Sequence, residues 1–182
     1  MGWLFVKRRM KAELGENWLT HFKDFSKSAS AAASLGQVHF AEDNQGQKLA
    51  CKLQYPDMGS AVQADLKQLK LIFSLYEKYD SAISTQSIHE ELSDRLKEEL
   101  DYSHEIQNMN LYRHMLSDYN EITLPKPIDS LSTNRLLTMT RIDGMKIMQF
   151  ISENSGIEIR NQVAMNMFKA WYVPFYKFGV IH

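Results

Sequence analysis

The residues best suited to chemistry in this chain are a run of small residues followed, one hairpin later, by a lysine. The run consists of Ala31, Ala32, Ala33 and Ser34. Small side chains let the backbone approach a phosphate group, while the Cβ of alanine disfavours the positive φ that glycine adopts. Lys52 ends the apolar stretch Leu49-Ala50-Cys51 and supplies a charge for the same phosphates. An alanine run by itself is equally typical of a helix, so the lysine decides in favour of a phosphate-binding turn.

The elements that must position these residues follow from hydrophobic patterning and turn residues. Residues 34–41 and 47–54 are predicted to form a hairpin, because Asp43-Asn44-Gln45-Gly46 between them is typical of a turn. In protein kinases a loop of small residues covers the ATP phosphates, and a strand lysine pairs with them. The pattern therefore predicts the front of a nucleotide pocket, with the predicted turn at 31–34 above Lys52.

Two separate segments carry a family resemblance. Residues 31–39 resemble the A-A-A-S-I-G-Q-V-H signature of the UbiB family of atypical kinases, which is tied to ubiquinone biosynthesis. Residues 50–56 resemble its V-A-V-K-V-Q-Y-P run, in the right order and at the right spacing. The resemblance covers nearly the whole chain but only the middle of the family's domain. It implies an α+β fold: a protein-kinase-like N-lobe of antiparallel sheet plus long helices, with the hinge and the first C-lobe helices.

An acidic segment supplies the partner that the lysine needs. Glu99, Asp101, Tyr102 and Glu105 match the family pattern E-x-D-Y-x-x-E, although such a run is also typical of a solvated surface. By the resemblance Glu105 forms the ion pair with Lys52. Glu99 and Asp101 would face the family's N-terminal K-x-G-Q extension, a motif that this chain does not contain. Because Asp101 and Glu105 are four positions apart, we expect them on one helix face.

A third segment resembles the kinase hinge. Residues 136–144 are similar to the family's V-L-T-M-E-W-I-D-G strand. The resemblance places Met139 at the back of the pocket and assigns adenine binding to the backbone of Thr140, Arg141 and Ile142. The implied cofactor is ATP or ADP.

The catalytic machinery of the family lies beyond the last residues of this sequence. The chain ends in Gly179-Val180-Ile181-His182, where the family runs on as H-A-D-P-H-P-G-N with a catalytic aspartate and a metal-binding asparagine. Mg²⁺ is implied by the family, but its ligands are absent here, so no catalytic and no metal-binding residue is predicted. The isolated chain is expected to be catalytically incomplete.

The remaining elements are read from apolar periodicity and helix breakers. A helix with a connector is predicted over 3–25, with Gly15 as its cap, and the long helices over 58–79 and 87–116. The other predicted elements are strands at Ile122–Leu124 and Arg135–Thr140, a turn at 132–134, a turn at Asp143–Gly144, and helices over 146–152 and 158–177. Pro174 should kink the last helix or end it early. The predicted divisions are 1–28, helix and connector; 29–142, kinase-like N-lobe ending at the hinge; and 143–182, start of the C-lobe.

Composition restricts partners and compartment. The chain has 182 residues and a formal net charge of −1, which argues against nucleic-acid binding. Its one cysteine, Cys51, fits a reducing compartment and is expected to be a small apolar strand residue. The N-terminal segment contains a small cluster of basic residues: Lys7, Arg8, Arg9 and Lys11. We interpret this cluster as a solvated helix face, and the alternative is peripheral contact with an anionic inner membrane. A cytoplasmic location is predicted.

The sequence therefore predicts the nucleotide-binding part of a UbiB-type atypical kinase or ATPase that supports ubiquinone biosynthesis. The main alternative is a non-catalytic interaction module from a split gene, which pairs with a separately encoded C-lobe or with coenzyme Q biosynthesis proteins. Exposed apolar side chains are expected on the last helix, including Trp171, Phe175 and Phe178. A helical adaptor without a nucleotide site is disfavoured by the pairing of Lys52 with the alanine run.

Overall fold

The computed structural model describes residues 1–79, 85–153 and 156–181, and within them an antiparallel sheet is accompanied by long helices. The strands are β1 (Phe22–Phe25), β2 (Ala31–Ala33), β3 (Gly36–Asp43), β4 (Lys48–Gln54) and β5 (Leu136–Thr140). The α-helices are α1 (Trp3–Leu14), α2 (Met58–Tyr79), α3 (Thr85–Glu99), α4 (Tyr102–Met115), α5 (Ile147–Glu153) and α6 (Ile157–Phe178). Short 3₁₀ helices cover Trp18–His21 and Asp129–Leu131. The predicted α+β architecture is confirmed.

The sheet runs in the order β1-β3-β4-β5, and β2 pairs with the first residues of β3. The predicted hairpin is β3 with β4, in continuous antiparallel register from Gly36–Gln54 to Glu42–Lys48. Its turn closes because Asp43 Oδ1 accepts the amides of Gln45 at 2.9 Å and Gln47 at 2.8 Å. Gly46 has φ of 85°, a left-handed conformation that glycine adopts without a steric penalty.

The core lies between α1 and one face of the sheet. Val6 and Met10 of α1 are buried against Leu49, Cys51 and Leu53 of β4. Alternation along the strand sends Lys52 to the opposite face. Cys51 is fully buried within β4, which confirms it as a small apolar strand residue, and this burial raises the pKa of its thiol to about 12. Gly15 ends α1 as predicted, with its amide donating to the Lys11 carbonyl.

Residues 22–25 form strand β1, whereas the sequence predicted a connector over this stretch. Phe22 and Phe25 are buried and pack edge-on at a centroid distance of 5.2 Å, beside Trp18. The strand has four residues and pairs only with Ala41–Asp43, so it is too short to give a readable alternation. The division proposed at 28/29 remains a prediction.

The alanine run is a strand, not the predicted turn. Ala31, Ala32 and Ala33 pair with Val38, Gln37 and Gly36 of β3, and Ser34 with Leu35 makes the tight reversal between them. Strand pairing holds the alanines in extended conformation, which suits a residue that disfavours positive φ. The small residues therefore form one arm of the hairpin that ends at residues 34–35.

The predicted single helix over 87–116 is two helices, α3 and α4, with a break at Leu100 and Asp101. Asp101 is the N-cap of α4 and accepts the Ser103 amide at 2.9 Å. An aspartate in a helical pattern favours a cap because its side chain competes for backbone amides. Asp101 and Glu105 thus do not share a helix face, and Glu98 belongs to a different helix from Glu105.

The segment before β5 is not the predicted strand at Ile122–Leu124. Pro125 and Pro127 lack the amide that a strand ladder needs, and pairing is limited to an isolated bridge between Pro127 and Met139. The strand predicted at Arg135–Thr140 is confirmed as β5 within one residue, and the predicted turn at 132–134 lies just before it.

The last elements follow the prediction with two exceptions. Helices α5 and α6 are confirmed, but α6 continues four residues past Pro174 and ends where Gly179 adopts a left-handed conformation. The missing amide of Pro174 does not end the helix. Asp143–Gly144 lies in a stretch without regular secondary structure and is not assigned as a turn. His182 lies outside the described residues, among which no helix is long and apolar enough to cross a membrane.

Candidate functional site

Lys52 and Glu105 form an ion pair between the sheet and helix α4. Lys52 Nζ donates to Glu105 Oε1 at 2.9 Å and to Oε2 at 2.7 Å. The pair joins two elements that are 53 positions apart in the sequence, so tertiary packing and not local geometry sets it. The Lys52 side chain is only 23% exposed, which reduces screening of this contact by water. The predicted pairing is present.

Tyr102 lies beneath this ion pair and links it to the hairpin. Lys52 Nζ is 4.8 Å from the centroid of the Tyr102 ring, a distance at which the ring face attracts a cation. The ring reaches Gly36, where a Cβ would lie 3.1 Å from the Tyr102 hydroxyl. That hydroxyl is buried without a hydrogen-bond partner among the described residues, and burial raises its pKa. Tyr102 was noted only as part of the acidic pattern, although its position three residues before Glu105 places both on one side of α4.

The first turn of α4 is fixed from outside the helix. The Tyr102 amide donates to the Asn134 carbonyl at 3.0 Å, and Ser103 Oγ donates to Asn134 Oδ1 at 2.8 Å. Helix N-termini have amides without an internal partner, and here the turn before β5 supplies acceptors for them. The position of Glu105 therefore depends on how this turn is held.

The sheet face that carries Lys52 is polar at its two ends, where Gln54, Lys48 and Glu42 lie, and apolar in between. Residues paired across an antiparallel sheet have side chains on the same face, and Lys52 pairs with both Val38 and Leu137. By the same pairing Ala50 and Met139 lie on this face, next to each other. The register places Met139 on the face of Lys52, and its position at the back of the pocket stays a prediction. Val38 and Ala50 were not predicted as site residues. Ala50 lies two residues before Lys52 in β4, and this spacing places both on one face. Val38 joins them only through the pairing of β3 with β4.

Two of the three backbone amides assigned to adenine recognition already have partners. The Thr140 amide donates to the Lys126 carbonyl at 2.8 Å, and the Arg141 amide donates to the Lys48 carbonyl at 2.9 Å. The sheet register uses both groups, so they do not point to a ligand. The Ile142 amide forms no backbone hydrogen bond with another described residue and remains the available donor of this segment.

A cavity of about 480 Å³ opens beside the ion pair. It includes the predicted residues Ser34, Lys52, Glu99 and Glu105, together with Tyr102. Its other lining residues were not predicted as site residues, although Glu98 and His104 belong to the acidic segment: Leu35, Arg95, Glu98, His104 and Asn108. Of these, Asn108 lies three residues after Glu105 in α4, a spacing that places both on one side of the helix, whereas Arg95 and Glu98 belong to α3.

The remaining predicted residues lie around this cavity and not in its lining. Ala31, Ala32 and Ala33 form the strand that leads to Ser34, and Asp101 is occupied as the cap of α4. A second cavity of about 600 Å³ shares Glu105 and continues towards Val180 and Ile181 after α6. The hinge segment 139–142 lines neither of these two cavities.

The site has no arrangement suited to a metal ion. Among the described residues no group of three or more His, Cys, Asp or Glu side chains is placed to hold one. The Glu105 carboxylate is paired with Lys52, and the Asp101 carboxylate with the Ser103 amide. The residues described here therefore do not fit the Mg²⁺ that the resemblance implies.

Comparison with known proteins gives one family and several relatives. Residues 1–182 match the ABC1 atypical kinase-like domain. The chain is 32% identical over 159 residues to the mitochondrial atypical kinase COQ8 of Saccharomyces cerevisiae, covering 82% of this chain and 32% of that protein. It is 31% identical to the chloroplastic protein Activity of BC1 Complex Kinase 7 of Arabidopsis thaliana, covering 97% of this chain and 26% of the relative.

A solved structure shares the fold. The structure of Rv3197 of Mycobacterium tuberculosis in complex with erythromycin superposes with a TM-score of 0.86 at 25% identity. The match covers 100% of this chain and 46% of Rv3197. The chain thus spans less than half of that protein and about a third or less of the two relatives above.

Proposed function

The chain belongs to the ABC1 atypical kinase-like family, as its resemblance to UbiB-type kinases predicted, and on that premise we propose that it binds an adenine nucleotide at the Lys52–Glu105 pair. The phosphates lie beside Lys52 under the hairpin tip at Ser34 and Leu35. The adenine lies against the apolar sheet face. This assigns to the chain the nucleotide-binding part of a UbiB-type atypical kinase or ATPase.

The observation that carries the proposal is the ion pair itself. A lysine on a central strand that is held at 2.7 Å by a glutamate of the neighbouring helix is a recurring part of kinase nucleotide sites. The two glutamate oxygens orient the ammonium by accepting two hydrogen bonds, and its third hydrogen can donate to a phosphate oxygen. The 480 Å³ cavity that opens at this ammonium gives the phosphates room.

The adenine subsite is supported by chemistry of two kinds. Val38, Ala50 and Met139 share the sheet face of Lys52 and offer apolar surface to a flat ring. The Ile142 amide, which has no backbone partner among the described residues, offers one hydrogen bond to a ring nitrogen. Such a bond contributes roughly 1 kcal/mol net, so the apolar face supplies most of the adenine affinity.

Titration with ADP tests the proposal. Lys52→Ala removes the only cation of the pair and should weaken ADP binding by at least about tenfold. The matched control is Lys23→Ala, because Lys23 is also a strand lysine paired with a glutamate, Glu42, but on the exposed edge of the sheet. The control should bind ADP as the parent chain does.

Two results would contradict the proposal. One is equal affinity for ADP in Lys52→Ala and the parent chain, with both proteins folded by circular dichroism. The other is equal weakening by Lys23→Ala, which would indicate a general electrostatic effect. Glu105→Gln provides an independent check, since it leaves the lysine in place but removes the charge that orients it.

The wider role is proposed from the family alone. Support of ubiquinone biosynthesis and association with coenzyme Q biosynthesis proteins are proposed from the resemblance. Peripheral membrane contact is proposed from the exposed cations Lys7, Arg8 and Lys11 of α1, because Arg9 of the same group is only 10% exposed and pairs with Glu13. Deletion of the gene should lower the cellular ubiquinone content, and a copy with Lys52→Ala should not restore it. Restoration by that copy would separate the biological role from the nucleotide site.

A second candidate is an interaction module that pairs with the lobe carrying the catalytic aspartate, encoded separately. The exposed aromatic side chains of α6 favour it, since Phe168, Tyr172 and Tyr176 form a stacked row on the surface. Co-expression with a C-lobe polypeptide of a relative should give a stable complex. Tyr176→Lys should weaken that complex while leaving ADP binding unchanged.

A further inference from the structure

A partly buried ion-pair network lies at the end of α1, on the face of the sheet opposite Lys52. Glu13 accepts hydrogen bonds from Arg9 at 3.2 Å and from the Thr133 hydroxyl at 2.7 Å, and it forms an ion pair with Arg135 at 3.0 Å. The Glu13 side chain is 6% exposed. A buried carboxylate is strongly unfavourable unless it is paired, and here two guanidinium groups and a hydroxyl share it.

Arg9 ties this carboxylate to the end of β4. Its Nε donates to the Gln54 carbonyl at 3.2 Å, and its terminal nitrogen donates to the Tyr55 carbonyl at 3.3 Å. Gln54 in turn donates from its side chain to the Leu100 carbonyl at 2.8 Å. The end of β4, only two residues from Lys52, is thereby joined to the break between α3 and α4.

Arg135 and Thr133 tie the same carboxylate to the turn before β5. Asn134 stands between them, and its carbonyl accepts the Tyr102 amide at 3.0 Å. Its side chain accepts from Ser103 Oγ at 2.8 Å. The carboxylate therefore holds both residues that flank the acceptor of the first α4 amide.

We infer that Glu13 is a positioning residue for the Lys52–Glu105 pair. It acts through the 133–135 turn on the first turn of α4, and through Arg9 on the end of β4. Strand β4 and helix α4, which carry the ion pair, are both linked by hydrogen bonds and ion pairs to the Glu13 carboxylate. Loss of its charge should therefore change the position of β4 relative to α4. This inference rests on the proposed function only for its effect on nucleotide binding; the effect on α4 is independent of any ligand.

The competing interpretation is a purely structural one, in which the network stabilises the whole sheet. A change at Glu13 would then loosen all elements alike and weaken binding by the same factor whether or not Glu105 is intact. The two interpretations differ in where the loosening occurs and in whether the effects at Glu13 and Glu105 are additive.

Backbone amide exchange provides the ligand-independent test. Glu13→Gln should accelerate exchange of the Ser103–Glu105 amides by about tenfold while amides of α2 remain unchanged. The matched control is Glu16→Gln, the same substitution on the exposed Glu16, which pairs with Lys11. Uniform acceleration in all elements, or no acceleration in α4, would overturn the inference.

A double-mutant cycle with ADP tests the coupling to the site. Glu13→Gln should weaken ADP binding by about tenfold in the parent chain and less than about twofold in the Glu105→Gln background. Equal factors in both backgrounds would overturn the inference. Thr133→Val replaces Glu13→Gln if that variant does not fold, because it removes one bond to the carboxylate and keeps the side-chain shape. Failure of the parent chain to bind ADP would count against the proposed function, and the exchange experiment would still decide the role of Glu13.

Discussion

The sheet half of the molecule, which consists of α1 and strands β1 to β5, buries its apolar side chains, whereas helices α5 and α6 expose theirs. Strand β4 alone has five buried residues among seven, and α1 covers one face of the sheet. In α5 no residue is buried, and in α6 the only buried one is Pro174. Large side chains such as Trp171 and Tyr176 are exposed on α6.

This difference in burial indicates which elements determine the geometry of the candidate site. The Lys52–Glu105 pair joins β4 to α4, and α1 covers the opposite face of the sheet, while α4 contacts both β5 and α6. Helix α6 contributes to the neighbouring cavity only through residues after its end, Val180 and Ile181. We therefore expect substitutions in the sheet half to affect stability and the site together, and those on α6 to affect neither.

Leu136→Ala should have the largest effect. Leu136 is fully buried in β5, so the variant loses packing and leaves a cavity, lowering the free energy of unfolding by about 2–5 kcal/mol. Met167→Ala is the corresponding variant in α6, where the Met167 side chain is 58% exposed. It should change the free energy of unfolding by less than about 0.5 kcal/mol. Urea unfolding of both variants makes the comparison. Similar losses in the two variants would mean that the α6 surface is covered in solution.

Gly36→Ala should follow in size. The added Cβ would collide with the Leu53 carbonyl oxygen and lie 3.1 Å from the Tyr102 hydroxyl, so the hairpin must shift at a cost of about 1–3 kcal/mol. Gly59→Ala in the first turn of α2 meets no atom within 4 Å and should be neutral or stabilising. Thermal unfolding of the two variants distinguishes them. A neutral Gly36→Ala would show that the hairpin is not packed on Tyr102.

The pH dependence of stability should arise partly at His39 in the sheet half. His39 is buried, stacks on Phe25 at 5.6 Å, and bonds Ser26 and Gln37 at 2.8 Å each. Burial lowers its pKa, so the unfolded chain binds the proton more readily and stability falls as the pH drops below about 6.5. One titrating group can change the free energy of unfolding by no more than about 1.4 kcal/mol per pH unit. His39→Gln should flatten the pH profile of the unfolding free energy between pH 5 and 7; an unchanged profile would assign the slope to other groups.

Ala32→Gly should have the smallest effect on stability. Glycine in a strand loses more conformational entropy on folding, at about 0.5–1 kcal/mol relative to alanine. Since Ala32 pairs with Gln37 next to the hairpin tip, a looser arm should also change ADP affinity. Calorimetric titration of the variant checks this, and identical affinities for both ADP and ATP in the variant and the parent chain would exclude a role for the alanine strand in binding.

The sequence was sufficient for the elements with strong periodicity and for the ion pair. The β3–β4 hairpin, α2 and β5 were predicted within a few residues, because turn residues and apolar spacing are local signals. The partnership of Lys52 with Glu105 came from a family resemblance, since no local rule relates residues that far apart in sequence.

The features that escaped prediction depend on tertiary contacts. The break at Asp101 competes with a continuous apolar stripe, and only the acceptors at Asn134 and the capping side chain make it favourable. The amide partners of Thr140 and Arg141 follow from the sheet register, which a sequence does not state. The carboxylate of Glu13 was not noticed, because three partners from distant segments converge on it.

Mapping the ADP site on the parent chain is the most direct test of whether the nucleotide binds at the Lys52–Glu105 pair. Amide chemical shifts are recorded by NMR while ADP is added. We expect the largest changes at residues 31–36, at Lys52 and Glu105, and at Ile142, with α2 and α6 unaffected. Saturable changes centred on α2, α3 or α6 instead, or no saturable change anywhere, would contradict a nucleotide site at the Lys52–Glu105 pair.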